Sequence, residues 1–166
     1  MSIRVFYDRW PQYNRRLIEV AGSLDEEQLA LRPASEHWPV WAIIAHVAGT
    51  RVYWLCTVLG EPGADTTPFV DPTGNGWEDD LASPRTAAEL VGALETTYAI
   101  VDRVLDRWTP DMMADEFERF YGDQRQVHSR SSVLQRLLTH EAYHDGEVSQ
   151  TLGLHGIEPI YIWRAD

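Results

Sequence analysis

Apolar residues recur at helical spacing in four stretches of this chain. In the first, Phe6, Trp10, Tyr13, Leu17, Val20 and Leu24 stand three or four residues apart, which puts them on one face of a helix. Pro11 falls inside that pattern, so the helix is either kinked there or starts nearby with the proline in its first turn. Ser23 with Glu26 has the form of a capping box for a short helical turn ending before Pro33. The second stretch opens at Trp38-Pro39 and runs to about Leu59, before Gly60. Its stripe is Val40, Ile43, Ile44, Val47, Trp54, Leu55 and Val58.

Residues 60–83 break the periodicity and are rich in proline, glycine and acid, with Gly74-Asn75-Gly76 near the middle. A segment of that length predicts a crossover along the helices instead of a tight turn. The third helix is expected after Pro84, with Thr86 and Glu89 as a capping box. Ala87, Leu90, Leu94, Tyr98, Val101, Val104 or Leu105, and Trp108 form its stripe. Phe117, Phe120 and Tyr121 before Gly122-Asp123, followed by Val127, read as a small hairpin. The fourth helix is expected from about Ser131 to Gly153, a helix-ending glycine, and the apolar tail Ile157 to Trp163 should pack back on the helices. Together these elements predict an all-α protein, residues 1–166 forming one domain.

Composition narrows the possibilities. No run approaches the roughly 18 apolar residues of a membrane span, and the opening Met-Ser-Ile-Arg-Val-Phe-Tyr-Asp has no export signal, so the expected location is cytoplasmic. The net charge of −12, from 14 Lys and Arg against 26 Asp and Glu, repels polyanions, which argues against nucleic acid as a partner. Cys56 is the only cysteine, so any metal must be held by imidazole or carboxylate; the thiol itself reads as packing.

The candidate chemistry lies in the fourth helix, which reads His140-Glu141-Ala142-Tyr143-His144-Asp145-Gly146-Glu147. At about 100° per residue, His140 and His144 stand within roughly 40° of one another, and Glu147 falls about 20° to the other side of His140. Leu134, Leu137, Val148 and Leu152 centre about 90° away, so the histidines flank the apolar stripe. Two imidazoles one turn apart can share a tetrahedral ion at about 2.0–2.1 Å per bond. His46, in the middle of the second helix, has a similar setting. If the two helices are neighbours, the three imidazoles form a site with an open coordination position. His37, His128 and His155 fall in loops or at element ends and read as surface residues. Trp10, Trp54 and Trp108 read as core, and Trp38 and Trp41 as possible walls of the site.

The Trp38-Pro-Val-Trp-Ala-Ile-Ile-Ala-His46 segment and the His140-to-Glu147 segment resemble the two signature helices of the DinB/YfiT-like superfamily, and the order of elements matches over almost the whole chain. The resemblance implies an up-down-down-up four-helix bundle, commonly a homodimer, with a divalent ion such as zinc or nickel on His46, His140 and His144. It also implies a metal-dependent S-transferase or hydrolase acting on a small electrophilic molecule, with a low-molecular-weight thiol as a possible second cofactor. Family members often carry His-His where this chain has Tyr143-His144, and Gln where it has Glu147. Glu147 is thus open as a fourth ligand or as a carboxylate that orients one.

Two other readings stay open. The site could hold a metal without turnover, in a stress-response role. His140-Glu141-Ala142-Tyr143-His144 also spells the zinc-peptidase pattern, in which the glutamate activates water, but the extended form is missing: Glu147 and Gln150 occupy the places of its glycine and third histidine. Glu141 points toward the leucine stripe. It is either a buried base beside the metal or the partner of an arginine from another helix. Glu141 and Glu147 are the candidate catalytic carboxylates.

Overall fold

The computed structural model describes residues 1–69, 76–77 and 80–163. Gly74 and Asn75, expected near the middle of the crossover, lie outside the described residues. The chain is mostly helical: α1 (Trp10–Ser23), a short α2 (Glu26–Leu29), α3 (Val40–Val52), α4 (Ala87–Arg107) and α5 (Arg130–Leu154), with a hairpin of β1 (Glu116–Tyr121) and β2 (Gln124–Ser129) between α4 and α5. Among the described residues, no helix is long and apolar enough to cross a membrane.

Capping explains most helix starts. Thr86 and Glu89 form the expected box: the Glu89 N–H donates to Thr86 Oγ1 (3.3 Å) and the Thr86 N–H to Glu89 Oε2 (2.8 Å). At α2 the box belongs to Asp25 and Gln28, not to Ser23 and Glu26; the Ser23 hydroxyl instead donates to the Val20 carbonyl. Asp25 sits where the backbone turns extended, so its carboxylate reaches the Gln28 N–H at 2.8 Å. α5 starts one residue before the expected Ser131, with Ser129 and Ser132 capping reciprocally.

Of the two readings of Pro11, the first-turn position holds, because α1 begins at Trp10. Its inner face is Trp10, Asn14, Leu17 and Ala21, rotated from the expected stripe. Phe6 lies before the helix in a 3-10 turn and is 71% exposed, and Tyr13 is half-buried. Pro39 stands just outside α3, at its N-cap position. From Tyr53 to Val58 the helix widens to π geometry before Leu59 and Gly60 end it. The hairpin closes through Gly122-Asp123 with Tyr121 opposite Gln124, and Gly122 has the positive φ (55°) such a tight turn requires.

α3 packs against both α4 and α5, and α4 also packs against α1. Two apolar clusters fill the interior, one around Leu17, Trp41, Ile44, Leu94 and Leu152, the other around Trp10, Trp54, Leu105, Trp108 and Leu137. Of the predicted tail, Ile160 is buried and Ile157 and Ile162 pack on the first cluster, whereas Trp163 stays exposed beside Tyr13. Glu61, buried at the start of the crossover, accepts from Trp108 Nε1 (3.1 Å) and Arg130 (3.1 Å), which ties that segment to the end of α4 and the start of α5.

The end of α5 differs from expectation. Gly153 lies inside the helix, and the left-handed residue that stops it is Gly156 (φ 74°), with the Ile157 N–H donating back to the Leu152 carbonyl. These two glycines should respond in opposite ways. Gly156→Ala should cost about 1 kcal/mol, because a Cβ is disfavoured at that φ. Gly153→Ala, with nothing within 4 Å of its added carbon, should gain about 0.5–1 kcal/mol. Urea denaturation midpoints of the two variants check this.

Candidate metal centre

α3 and α5 bring His46, His140 and His144 together, with one ring nitrogen from each inside a 4.8 Å group. His46 Nε2 is 2.9 Å from His140 Nε2, and His144 Nε2 is 3.1 Å from the same atom. All three rings are half-buried. Trp38 stands edge-on to His46 at 5.3 Å between centroids, a wall of the site as expected, whereas Trp41 is buried in the core.

The proton inventory of these nitrogens matters. His144 Nδ1 lies 2.6 Å from Glu147 Oε2, a contact that places the ring's proton on Nδ1 and leaves Nε2 as a lone pair. His140 Nε2 faces two other Nε2 atoms and, carrying at most one proton, can satisfy only one of them as donor. Burial pushes His140 down to about 3, with the charges His144 and His46 would carry adding to the effect. It also lowers His144, partly opposed by the hydrogen bond to Glu147. These two rings therefore stay in the neutral, ligating form at neutral pH. Ligands on a tetrahedral ion with bonds of about 2.0–2.1 Å stand about 3.4 Å apart. The two spacings to His140, 2.9 and 3.1 Å, are within about half an ångström of that, so the donor set fits a divalent cation in chemistry and comes close to it in spacing.

Of the two candidate carboxylates, only Glu147 contacts the cluster. It does so through the outer nitrogen of His144 and is not among the grouped donors. Glu141 points inward and is buried. Its Oε2 accepts from Arg51 at 2.7 and 3.2 Å and from Trp10 Nε1 at 3.2 Å. The arginine alternative for Glu141 is therefore the one the geometry supports, and the indole bond joins α1 to α5. Arg51 also donates to the Leu94 carbonyl of α4 at 3.2 Å and lies over the Tyr98 ring.

Sequence reasoning allowed Glu141 an arginine partner from another helix but did not identify Arg51 as that partner. Arg51 stands in a stretch where Val40–Ala45, Val47, Ala48 and Val52 are all buried, and an arginine there needs a buried anion as partner; that was the available signal. Asp145, next to His144, is also buried. Desolvation, followed by the charge of Glu141, pushes it up to about 8. His128 was read as a surface residue, but it is half-buried and packs edge-on against Trp54 at 4.8 Å. Cys56 is half-buried, and burial raises its thiol, which fits a packing role.

The fold and these converging nitrogens define a helical protein with a three-histidine centre. The chain belongs to the DinB superfamily, whose family model matches residues 12–148. Among solved structures it is similar to a DinB-like protein from Bacillus cereus. The two are 19% identical, the match covers 96% of this chain and 98% of that one, and the TM-score is 0.70. No curated protein matches the chain.

Two outcomes follow. Arg51→Met should lose about 3–5 kcal/mol, because Glu141 is left buried and unpaired; adding Glu141→Leu should recover most of it, measured by urea unfolding. Asp145 holds its proton more tightly folded than unfolded. Its contribution is therefore fully present below about 3.8, the ordinary carboxyl value, and is lost as pH rises through about 8. In metal-free protein, Asp145→Asn should raise Tm progressively more between pH 4 and 8, relative to wild type. The opposite slope from His140, whose lowered pKa costs stability as pH falls below 6.5, is common to both proteins.

Proposed function

We propose that this chain is a metal-dependent S-transferase or hydrolase that delivers a thiol or water to a small electrophilic molecule. On this reading it is a homodimeric four-helix bundle of up-down-down-up course. The observation that carries the reading is three imidazole nitrogens converging beside an open groove, with no carboxylate or thiol among the grouped donors of the described residues. Three protein ligands and an open position suit turnover better than a closed structural site does. A divalent ion such as zinc or nickel held by His46, His140 and His144 would acidify a thiol or water bound beside it.

The chain's own residues support that chemistry. Glu147 accepts the Nδ1 proton of His144, which aims Nε2 at the cluster and makes it a better donor. Trp38 shields the outer face of His46. The pairwise packing of α1 with α4, α4 with α3 and α3 with α5 supports the bundle, and the Trp10–Glu141 bond closes the ring of helices. The peptidase reading lacks its base, since Glu141 is committed to Arg51 and Trp10.

Protein purified without chelators should hold one zinc or nickel ion per chain by elemental analysis, and His144→Ala should lose it. Glu147→Gln should weaken metal affinity about tenfold or more. A wild type that neither retains nor takes up zinc or nickel overturns the reading. With metal loaded, transfer of bacillithiol, mycothiol or glutathione to a bimane or chloronitrobenzene probe is the expected activity. Silence with every thiol, and no hydrolysis, would favour metal binding without turnover.

A further inference from the structure

A groove of about 450 Å³ runs along the outer face of α5 from His140 toward β2. Its lining includes His128, Gln135, Arg136, His140 and Tyr143, and none of its lining residues is acidic, in a chain with 26 Asp and Glu. Several arginines of the chain are already paired. Arg4, Arg51, Arg107, Arg125 and Arg130 each pair with carboxylates. Arg136 has no carboxylate or hydrogen-bond acceptor among the described residues. It is nevertheless held in place, with its guanidinium over the Trp54 ring at 4.6 Å. Arg119 lies over the same ring at 4.7 Å and, among the described residues, donates to neutral acceptors alone, the Tyr53 hydroxyl at 2.6 Å and Gln126 at 2.8 Å. His128 packs against Trp54 as well.

We propose that this groove is an anion subsite, in which Arg136, fixed by Trp54, takes a carboxylate of the molecule that reaches the histidine cluster. Arg136 and His140 are one helical turn apart, about 6 Å along the axis. A small molecule can therefore span them, with its carboxylate on the guanidinium and its reactive end at the imidazoles. The guanidinium offers paired N–H donors that match a carboxylate edge. Burial keeps His128 low, and the Arg119 and Arg136 charges lower it further, so it presents a neutral ring to the ligand. A singly charged group suits one acceptor-free guanidinium better than a phosphate dianion does. The groove is positive within a chain of net charge −12, so the acidic remainder disfavours polyanions while this face admits a small anion.

The subsite names the substrate class for the function proposed above and rests on it, but its test runs on metal-free protein and so is decided separately. Glutarate titrated into ¹⁵N-labelled wild type should shift the Arg136 Nε–H and Trp54 indole signals saturably, with glutaramide at least tenfold weaker. Arg136→Gln should weaken glutarate binding at least tenfold, with a melting temperature lowered by no more than about 4 °C for the lost ring contact and unchanged zinc uptake; Arg136→Lys should retain part of the affinity. Equal binding of glutarate and glutaramide, or glutarate binding that survives Arg136→Gln, overturns the proposal. Inorganic phosphate binding more tightly than glutarate overturns the choice of carboxylate.

Discussion

The Arg51–Glu141 ion pair sets the geometry on which everything else depends. Arg51 is five residues beyond His46 on α3, and Glu141 directly follows His140 on α5, so the pair fixes the register in which the two helices face each other. With both charges buried, sliding either helix by a turn would strand an unpaired ion, a larger penalty than most apolar repacking incurs. The guanidinium also reaches the Leu94 carbonyl on α4, and the carboxylate takes the Trp10 indole of α1. One salt bridge thus touches all four long helices. The convergence of the imidazoles follows from it.

Much of this was readable from the chain. Periodicity located the long helices because each buries a stripe of large apolar side chains, and the α4 stripe from Leu90 to Trp108 is buried throughout. The three histidines were recognisable because they flank those stripes, where a polar side chain can remain half-covered. The reading failed where several positions satisfy the same local rule. Ser23 and Asp25 are both competent caps, and only the extended backbone at Asp25 decides between them. Gly153 and Gly156 can both end a helix, and the turn that folds Ile157 back selects the second. α3 defeats wheel analysis for another reason. It is buried on nearly every side, so its periodicity carries little information about which face meets which neighbour.

The polar interior is divided by role. Glu141, next in sequence to His140, faces the core with its Oε2 committed to Arg51 and Trp10, whereas Glu147, seven residues from His140, faces outward and meets the cluster through the far side of His144. Two carboxylates of similar chemistry thus differ through their angle on one helix. Asp145 adds a neutralisable group to the inner layer, so the wall behind the histidines carries less fixed negative charge than its composition implies.

The π-widened end of α3 bears on how this architecture can change. An α-helix turns about 100° per residue, so excising a single residue between Tyr53 and Val58 would rotate whatever follows by that amount. Trp54, on which two guanidiniums and an imidazole rest, lies within that stretch. Helical phase there is a dial that a one-codon deletion can turn. It would re-aim the segment under the groove while leaving His46, upstream of the widened turn, in place.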